Sequence, residues 1–188
     1  VVLVEKDPQI AALWRWLIHE ATAAEIRDLP ELHEGDTTSS LLMILHMASK
    51  RWFTYNKATV TPFMVAAWQA SRRYMAANVH KVKHWTVIEG DYTQAPDVEA
   101  TWFIDPPYKG EPGTGYRFGS DQLDYSRLAE WAQARQGALI VCEGAGADWL
   151  PFEFLTSGVA SAGKQHEERV YLRGVSSNPI ADLFGVFT

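Results

Sequence analysis

At 188 residues, with 47% hydrophobic and 21% charged side chains, the chain is long and apolar enough to fold as one globular domain and too apolar to be disordered. No apolar run approaches a membrane span, no stretch reads as a signal peptide, and the lone Cys142 excludes an internal disulfide framework and fits a reducing, cytoplasmic setting. The net charge of −6 argues against nucleic acid as a partner, but only as an average, because the basic residues are gathered in one segment.

Val1 to Val4 is an unbroken β-branched and apolar run, which predicts a buried parallel strand ending at Glu5. Asp7-Pro8 then opens a helix to about His19, with Asp7 as N-cap and Pro8 in the first helical position. Ile10, Leu13, Trp14 and Leu17 share one stripe of that helix. Asp7 is occupied as a cap, so Glu5 stands at the strand tip with no local role. An acid so placed can accept hydrogen bonds from ribose hydroxyls. Residues 21–35 read as a short acidic connection. Asp36-Thr-Thr-Ser suits the cap of a second helix, Leu41 to about Trp52, and Thr61-Pro62 starts a third that runs to about Ala77.

The segment from His46 to His84 contains no Asp or Glu and seven basic residues, so it carries +7 and leaves −13 on the rest. A local basic patch on an acidic protein is a footprint for phosphates, although a solvated helical face would carry the same charges. Trp85 to Glu89 reads as the next strand, followed by Gly90-Asp91-Tyr92. Asp91 is placed to accept a hydrogen bond from an exocyclic amine and Tyr92 to stack on a purine. A capped turn explains the same residues equally well.

Trp102-Phe103-Ile104 reads as a strand cut off by Asp105-Pro106-Pro107-Tyr108, since neither proline has an N–H to continue a ladder. The strand therefore presents a carboxylate, a stiff backbone and a ring at its carboxyl end, where open α/β sheets bind ligands. Lys109 to Ser120 is glycine-rich and reads as a mobile cover, without the spacing of a phosphate-cradling loop. Its Tyr116 and Arg117 suit a base and its phosphates. Ser126 to about Arg135 reads as a helix and Ala138 to Cys142 as a buried strand. Phe152–Leu155 and Arg169–Leu172 read as an antiparallel edge pair. The alternation of strands and helices favours an α/β fold with a doubly wound, mostly parallel sheet. The six His are scattered, and no GxSxG elbow or Cys/His pairing occurs, so neither metal nor covalent nucleophilic catalysis is expected.

Asp105-Pro-Pro-Tyr108 resembles the catalytic motif of amino-group methyltransferases that use S-adenosylmethionine, above all the DNA adenine-N6 enzymes. Val2-Leu-Val-Glu5-Lys-Asp7-Pro8 is similar to their second strand with its ribose-binding acid. Glu89-Gly-Asp91-Tyr92 resembles the element that holds the cofactor's adenine. The stretch from Val141 through Glu143 and Asp148-Trp149 to Phe152 is similar to the strand and turn after the catalytic motif in phage and prophage DNA adenine methylases.

The resemblance implies a Rossmann-like methyltransferase domain over residues 1–188, with an inserted basic, helical recognition segment at about 36–84. It implies S-adenosylmethionine as cofactor, held by Glu5, Asp91, Tyr92 and Asp105. It implies catalysis by Asp105, Pro106, Pro107 and Tyr108 on a base flipped out of double-stranded DNA. DNA contacts then fall to Lys50, Arg51, Arg72, Arg73, Lys81 and Lys83, joined by Tyr116 and Arg117. No metal and no membrane enter, and the setting is the cytoplasm of a bacterial or phage-infected cell.

The family's glycine-rich first motif should precede Val1 and is missing from these residues. The expectation is a fragment of a longer protein. The alternatives are a partner chain that supplies the strand, or a permuted fold using Asp182-Leu-Phe-Gly185. A homo-oligomer is left open. An RNA guanine-N2 methyltransferase and a non-catalytic, DNA-binding methyltransferase-like subunit are the rival functions. A cytosine-N4 enzyme fits less well, since those more often begin the motif with Ser.

Overall fold

The computed structural model describes residues 1–34, 60, 62–110, 113–114, 116–159 and 165–175. The fold is α/β, as the alternation of strands and helices implied. The chain divides into two compact units, Val1–Ala95 with Gly115–Arg117, and Pro96–Thr114 with Phe118–Thr188.

In the first unit, β1 (Val2–Glu5) and β2 (Thr86–Glu89) pair in parallel, in register from Val2↔Thr86 to Glu5↔Glu89. Parallel neighbours need a crossover, and helices supply it. The first, α1 (Pro8–Arg15), starts as expected: Asp7 accepts the Gln9 N–H at 2.8 Å and Pro8 fills the first helical position. It ends early. From Trp16 to Glu20 the chain widens into a π-helical turn, closed by the Ala21 N–H on the Trp16 carbonyl at 2.8 Å.

The stretch expected to be a plain connection contains a second helix, α2 (Ala23–Arg27). A reciprocal capping box starts it. The Glu25 N–H donates to Thr22 Oγ1 at 3.1 Å, and the Thr22 N–H donates to Glu25 Oε2 at 2.8 Å. The long helix α3 (Pro62–Asn78) begins at Pro62 as predicted, and a single 3-10 turn, Val79–Val82, follows it. Its Trp68 is fully buried with Leu13, Leu32 and Val60, and its indole N–H donates to the Pro30 carbonyl at 2.9 Å. Ala21, Ile26, Ala76 and Val79 form a second cluster. The helix expected over 41–52 and the tail at 182–185 lie outside the described residues.

The second unit holds a four-stranded sheet in the order β3 (Trp102–Ile104), β4 (Leu139–Gly144), β6 (Gln165–Arg173), β5 (Glu153–Val159). β3 and β4 are parallel, while β6 runs antiparallel to both β4 and β5. The expected antiparallel pair is present at the sheet's edge, with longer strands than the apolar runs indicated. The helix α4 (Tyr125–Gln133) is capped by Asp124, which accepts the Arg127 N–H at 3.0 Å. β4 is buried on both faces. Leu139 and Val141 pack with Ala129 and Ala132 of α4, and Ile140 and Cys142 pack with Val170 and Leu172. That is why its sequence is an unbroken apolar run rather than an alternation. Among the described residues no helix is long and apolar enough to cross a membrane.

Candidate active site

β3 stops at Ile104, so Asp105 is the first residue beyond the ladder. The residues after it are fastened one by one. The Pro107 carbonyl accepts the Tyr125 hydroxyl at 2.5 Å. The Tyr108 ring lies over Gly144, where an added Cβ would stand 3.0 Å from Tyr108 Cδ2. The Tyr108 hydroxyl donates to Glu168 Oε2 at 2.6 Å. Gly144 and Glu168 face each other across the β4–β6 ladder, so one rung takes both the ring and its hydroxyl.

Glu143 is completely buried, yet among the described residues none of its donors is a cation. The Lys109 N–H donates to Oε1 at 2.8 Å, the Gly144 N–H to Oε2 at 2.6 Å, and the Trp149 indole N–H to Oε1 at 3.1 Å. Three N–H donors meet the need of a buried carboxylate for hydrogen bonds. The result ties the end of β4 to the backbone just after the motif. Trp149 also packs on Tyr125 and Phe152, with ring centroids 5.5 and 5.0 Å away. The Lys109 ammonium pairs with Asp148 at 2.6 Å.

In the described parts of the glycine-rich loop, the bonds gather on the Gly110 carbonyl. Gly113 donates to the Gly110 carbonyl at 3.1 Å, and Ser120 Oγ donates to the same carbonyl at 2.8 Å. A Cβ on Gly113 would sit 2.1 Å from the Tyr108 carbonyl oxygen, so only glycine fits there.

Among the described residues, neither the Asp105 carboxylate nor the Pro106 carbonyl receives a hydrogen bond. The Asp105 pKa is pushed up to about 6, first by desolvation and then by the negative charges of Glu168 and Glu143. Asp105 is exposed on one side, which tempers the shift without changing its direction. Burial, with Asp105 and Glu168, drives the Cys142 thiol up to about 12, so it stays neutral and is no nucleophile. Burial and the bond to Glu168 lift the Tyr108 phenol above its ordinary range.

Glu5 ends β1, and it does have local work, because its Oε1 accepts the Asp7 N–H at 2.8 Å. The Lys6 backbone N–H also bears on this carboxylate, and two N–H donors leave it with lone pairs to spare. Burial raises the Glu5 pKa by more than the Asp7 N–H lowers it. Asp91 caps the 3-10 turn Tyr92–Gln94, taking the Thr93 N–H at 3.2 Å, the Thr93 hydroxyl at 3.1 Å and the Lys6 ammonium at 3.3 Å. Burial raises the Asp91 pKa, but the Thr93 and Lys6 donors together outweigh it and hold the carboxyl low. The capped turn is therefore present, with Tyr92 at its start.

The basic residues separate into groups. Lys50 and Arg51 lie outside the described residues. The Arg72 guanidinium donates to the carbonyls of Arg27 and Leu29 and to Glu31, and the Lys83 ammonium to the Ala21 carbonyl at 2.5 Å. Both hold the 21–31 stretch in place. Arg73 and Lys81 are exposed and have no partner among the described residues. Arg117 lies 4.0 Å from Asp7 Oδ1, and Tyr116 is exposed.

Sequence reasoning assigned no role to Glu143, Glu168, Gly144 or Tyr125. Glu143 carried a signal, since it is an acid closing an apolar strand, as Glu5 and Asp105 do. Glu168 sits in a run of charges and carried none. Among the described residues, no group of three or more His, Cys, Asp or Glu is arranged to hold a metal ion. No protein-family model matches the chain, and no curated protein matches it in sequence.

Proposed function

We propose that this chain is an S-adenosylmethionine-dependent methyltransferase acting on the N6 amine of adenine in DNA, built on a Rossmann-like doubly wound fold. The supporting observation is the pair of adjacent acceptors, Asp105 carboxylate and Pro106 carbonyl, without donors among the described residues, beside a Pro107 carbonyl and a Tyr108 hydroxyl that are both bonded. An exocyclic amine brings two N–H donors, which two such acceptors can take. Asp105 is exposed and solvated until a ligand's N–H replaces water, and the half-buried Pro106 carbonyl gains most from a second donor.

The amine of adenine is a poor nucleophile because its lone pair is delocalised into the ring. Two fixed acceptors on its hydrogens favour a pyramidal nitrogen and stabilise the positive charge that grows on it as the new N–C bond forms and the methyl group's bond to its leaving sulfur breaks. This is stabilisation of the transition state rather than of the substrate. The two prolines stiffen the acceptors, and the Tyr125 bond to the Pro107 carbonyl fixes the turn. The Asp105 carboxylate, with a pKa near 6, is ionised at neutral pH and is the nearest base for the proton that nitrogen must lose.

When bound, S-adenosylmethionine supplies an electrophilic methyl group. The fit of the first unit to it is chemical: Glu5 takes the backbone N–H groups of Asp7 and Lys6 and keeps lone pairs to accept from a ribose hydroxyl. Asp91 already takes three donors on its two oxygens, so it offers an adenine amine little more than one remaining lone pair. Tyr92 offers a ring. Of the described cations in the acid-free segment, Arg73 and Lys81 are exposed and without a partner among the described residues, and they are assigned to DNA phosphates with Arg117 and Tyr116. Arg72 and Lys83 serve the fold.

Adenine N6 and guanine N2 present the same amine chemistry, so the test offers both. The chain is incubated with donor labelled in the methyl group and either unmodified duplex DNA or ribosomal RNA. Label is expected in the DNA alone. Label confined to RNA moves the function to guanine N2, and no transfer to either, with no binding of the donor by calorimetry, points to a non-catalytic subunit.

A further inference from the structure

We infer that Glu168 is a positioning residue for the acceptor motif: it seats the Tyr108 ring on Gly144 and thereby sets the pose of the Asp105–Pro106 acceptors. The inference rests on the methyltransferase reading and adds a residue on β6, far from the motif in sequence. The seat has three parts. Gly144 offers a flat floor, since any Cβ there would meet the Tyr108 ring at 3.0 Å. Glu168, its partner across the ladder, takes the phenolic hydroxyl at 2.6 Å. Ile140, Cys142 and Val170 close the apolar side of the ring. With its hydroxyl bound and its ring seated, Tyr108 cannot turn without dragging the two prolines that precede it.

Glu168 also acts on Asp105 through its charge. The groups that bear on Asp105 are Glu168 from β6, Glu143 and the Cys142 thiol from β4, and the Tyr108 phenol of the motif itself. None of these carries a positive charge. Removal of the Glu168 charge lowers the Asp105 pKa towards its ordinary value. A residue that merely held the strand pair together would not shift that titration.

The test uses the full chain with Glu168→Gln, Tyr108→Phe and the double variant. Phe keeps the ring on Gly144 and removes only the hydroxyl, so it reports even where Glu168→Gln folds poorly. Each single variant is expected to lower kcat by roughly tenfold, as for loss of a charged hydrogen bond. The double variant is expected to lose no more than the worse single, because the two side chains act as one unit. The acid limb of kcat/KM moves to lower pH in Glu168→Gln. Independent losses that multiply in the double variant, or an acid limb unmoved by Glu168→Gln, would overturn the inference. The seat is also read without activity, by NMR of tyrosine labelled at Cζ. In wild type the Tyr108 phenol stays protonated well above pH 10, and in Glu168→Gln it titrates lower. An unchanged titration refutes the seat, whereas a changed titration in a protein that transfers no methyl group refutes the methyltransferase reading alone.

Discussion

Asp105 is the residue on which the proposed chemistry turns, and its environment is set by other acids. Its carboxyl is raised to about 6 by desolvation and by Glu168 and Glu143. The ionised form is the better acceptor, so kcat/KM is expected to fall as pH drops through about 6 and to level off only towards neutrality. The sign for stability is the opposite. A carboxyl whose pKa is raised on folding opposes folding increasingly as pH rises from its unfolded value to its folded one. Asp105→Asn is therefore expected to raise the melting temperature at pH 7.5 and to raise it much less at pH 4, just above the unfolded value. An equal shift at both pH values would show that the charge is not the cause. Gly144 yields a second prediction at this scale. Gly144→Ala forces a methyl against the Tyr108 ring, and overpacking of this kind costs about 1–3 kcal/mol. Chemical denaturation measures that cost, and activity is expected to fall further than stability explains. Asp105 and its motif were legible in the sequence because two prolines after an aromatic strand leave few structural options. Glu143 and Glu168 were not assigned, because their roles depend on which strands pair and in what register, and no local pattern encodes that pairing.

Among the elements, those with local signals came through. The Asp7-Pro8 start of α1, the Pro62 start of α3 and the apolar run of β4 all depend on neighbours in sequence. α2 also had its signal, the Thr22 and Glu25 capping box, but it stood inside a stretch read only for its acidity. The π-helical turn at Trp16–Glu20 had none, since one extra residue in a turn leaves the apolar spacing almost unchanged. Arg72 and Lys83 show the limit of reading charge as function: their cations are held by carbonyls of the 21–29 stretch, which no spacing reveals. α3 depends most on Trp68, fully buried, with its indole N–H on the Pro30 carbonyl. Trp68→Ala is expected to cost about 3–5 kcal/mol in denaturant unfolding of the full chain. A loss below about 1 kcal/mol would show that this cluster does not hold the first unit together.

At the scale of the whole molecule, charge and chemistry are carried by different parts of the chain. The unit containing α3 carries the exposed cations Arg73 and Lys81, and the unit containing β4 carries the acidic site at Asp105. A net charge of −6 hides that division, which the sequence already showed in its acid-free segment. Reversal of both cations, Arg73→Glu with Lys81→Glu, is expected to weaken duplex binding and to reduce the salt slope by about 2. An unchanged slope would remove these two cations from the DNA contact. The central claim concerns the amine, and it is tested most directly by mass analysis of the nucleosides from unmodified duplex DNA. Wild type and Asp105→Asn are incubated side by side with S-adenosylmethionine. The expected result is N6-methylated deoxyadenosine with wild type and about 100-fold less with Asp105→Asn, the scale of a lost transition-state contact. No methylated base from the wild-type protein, or an undiminished yield with Asp105→Asn, would contradict the account.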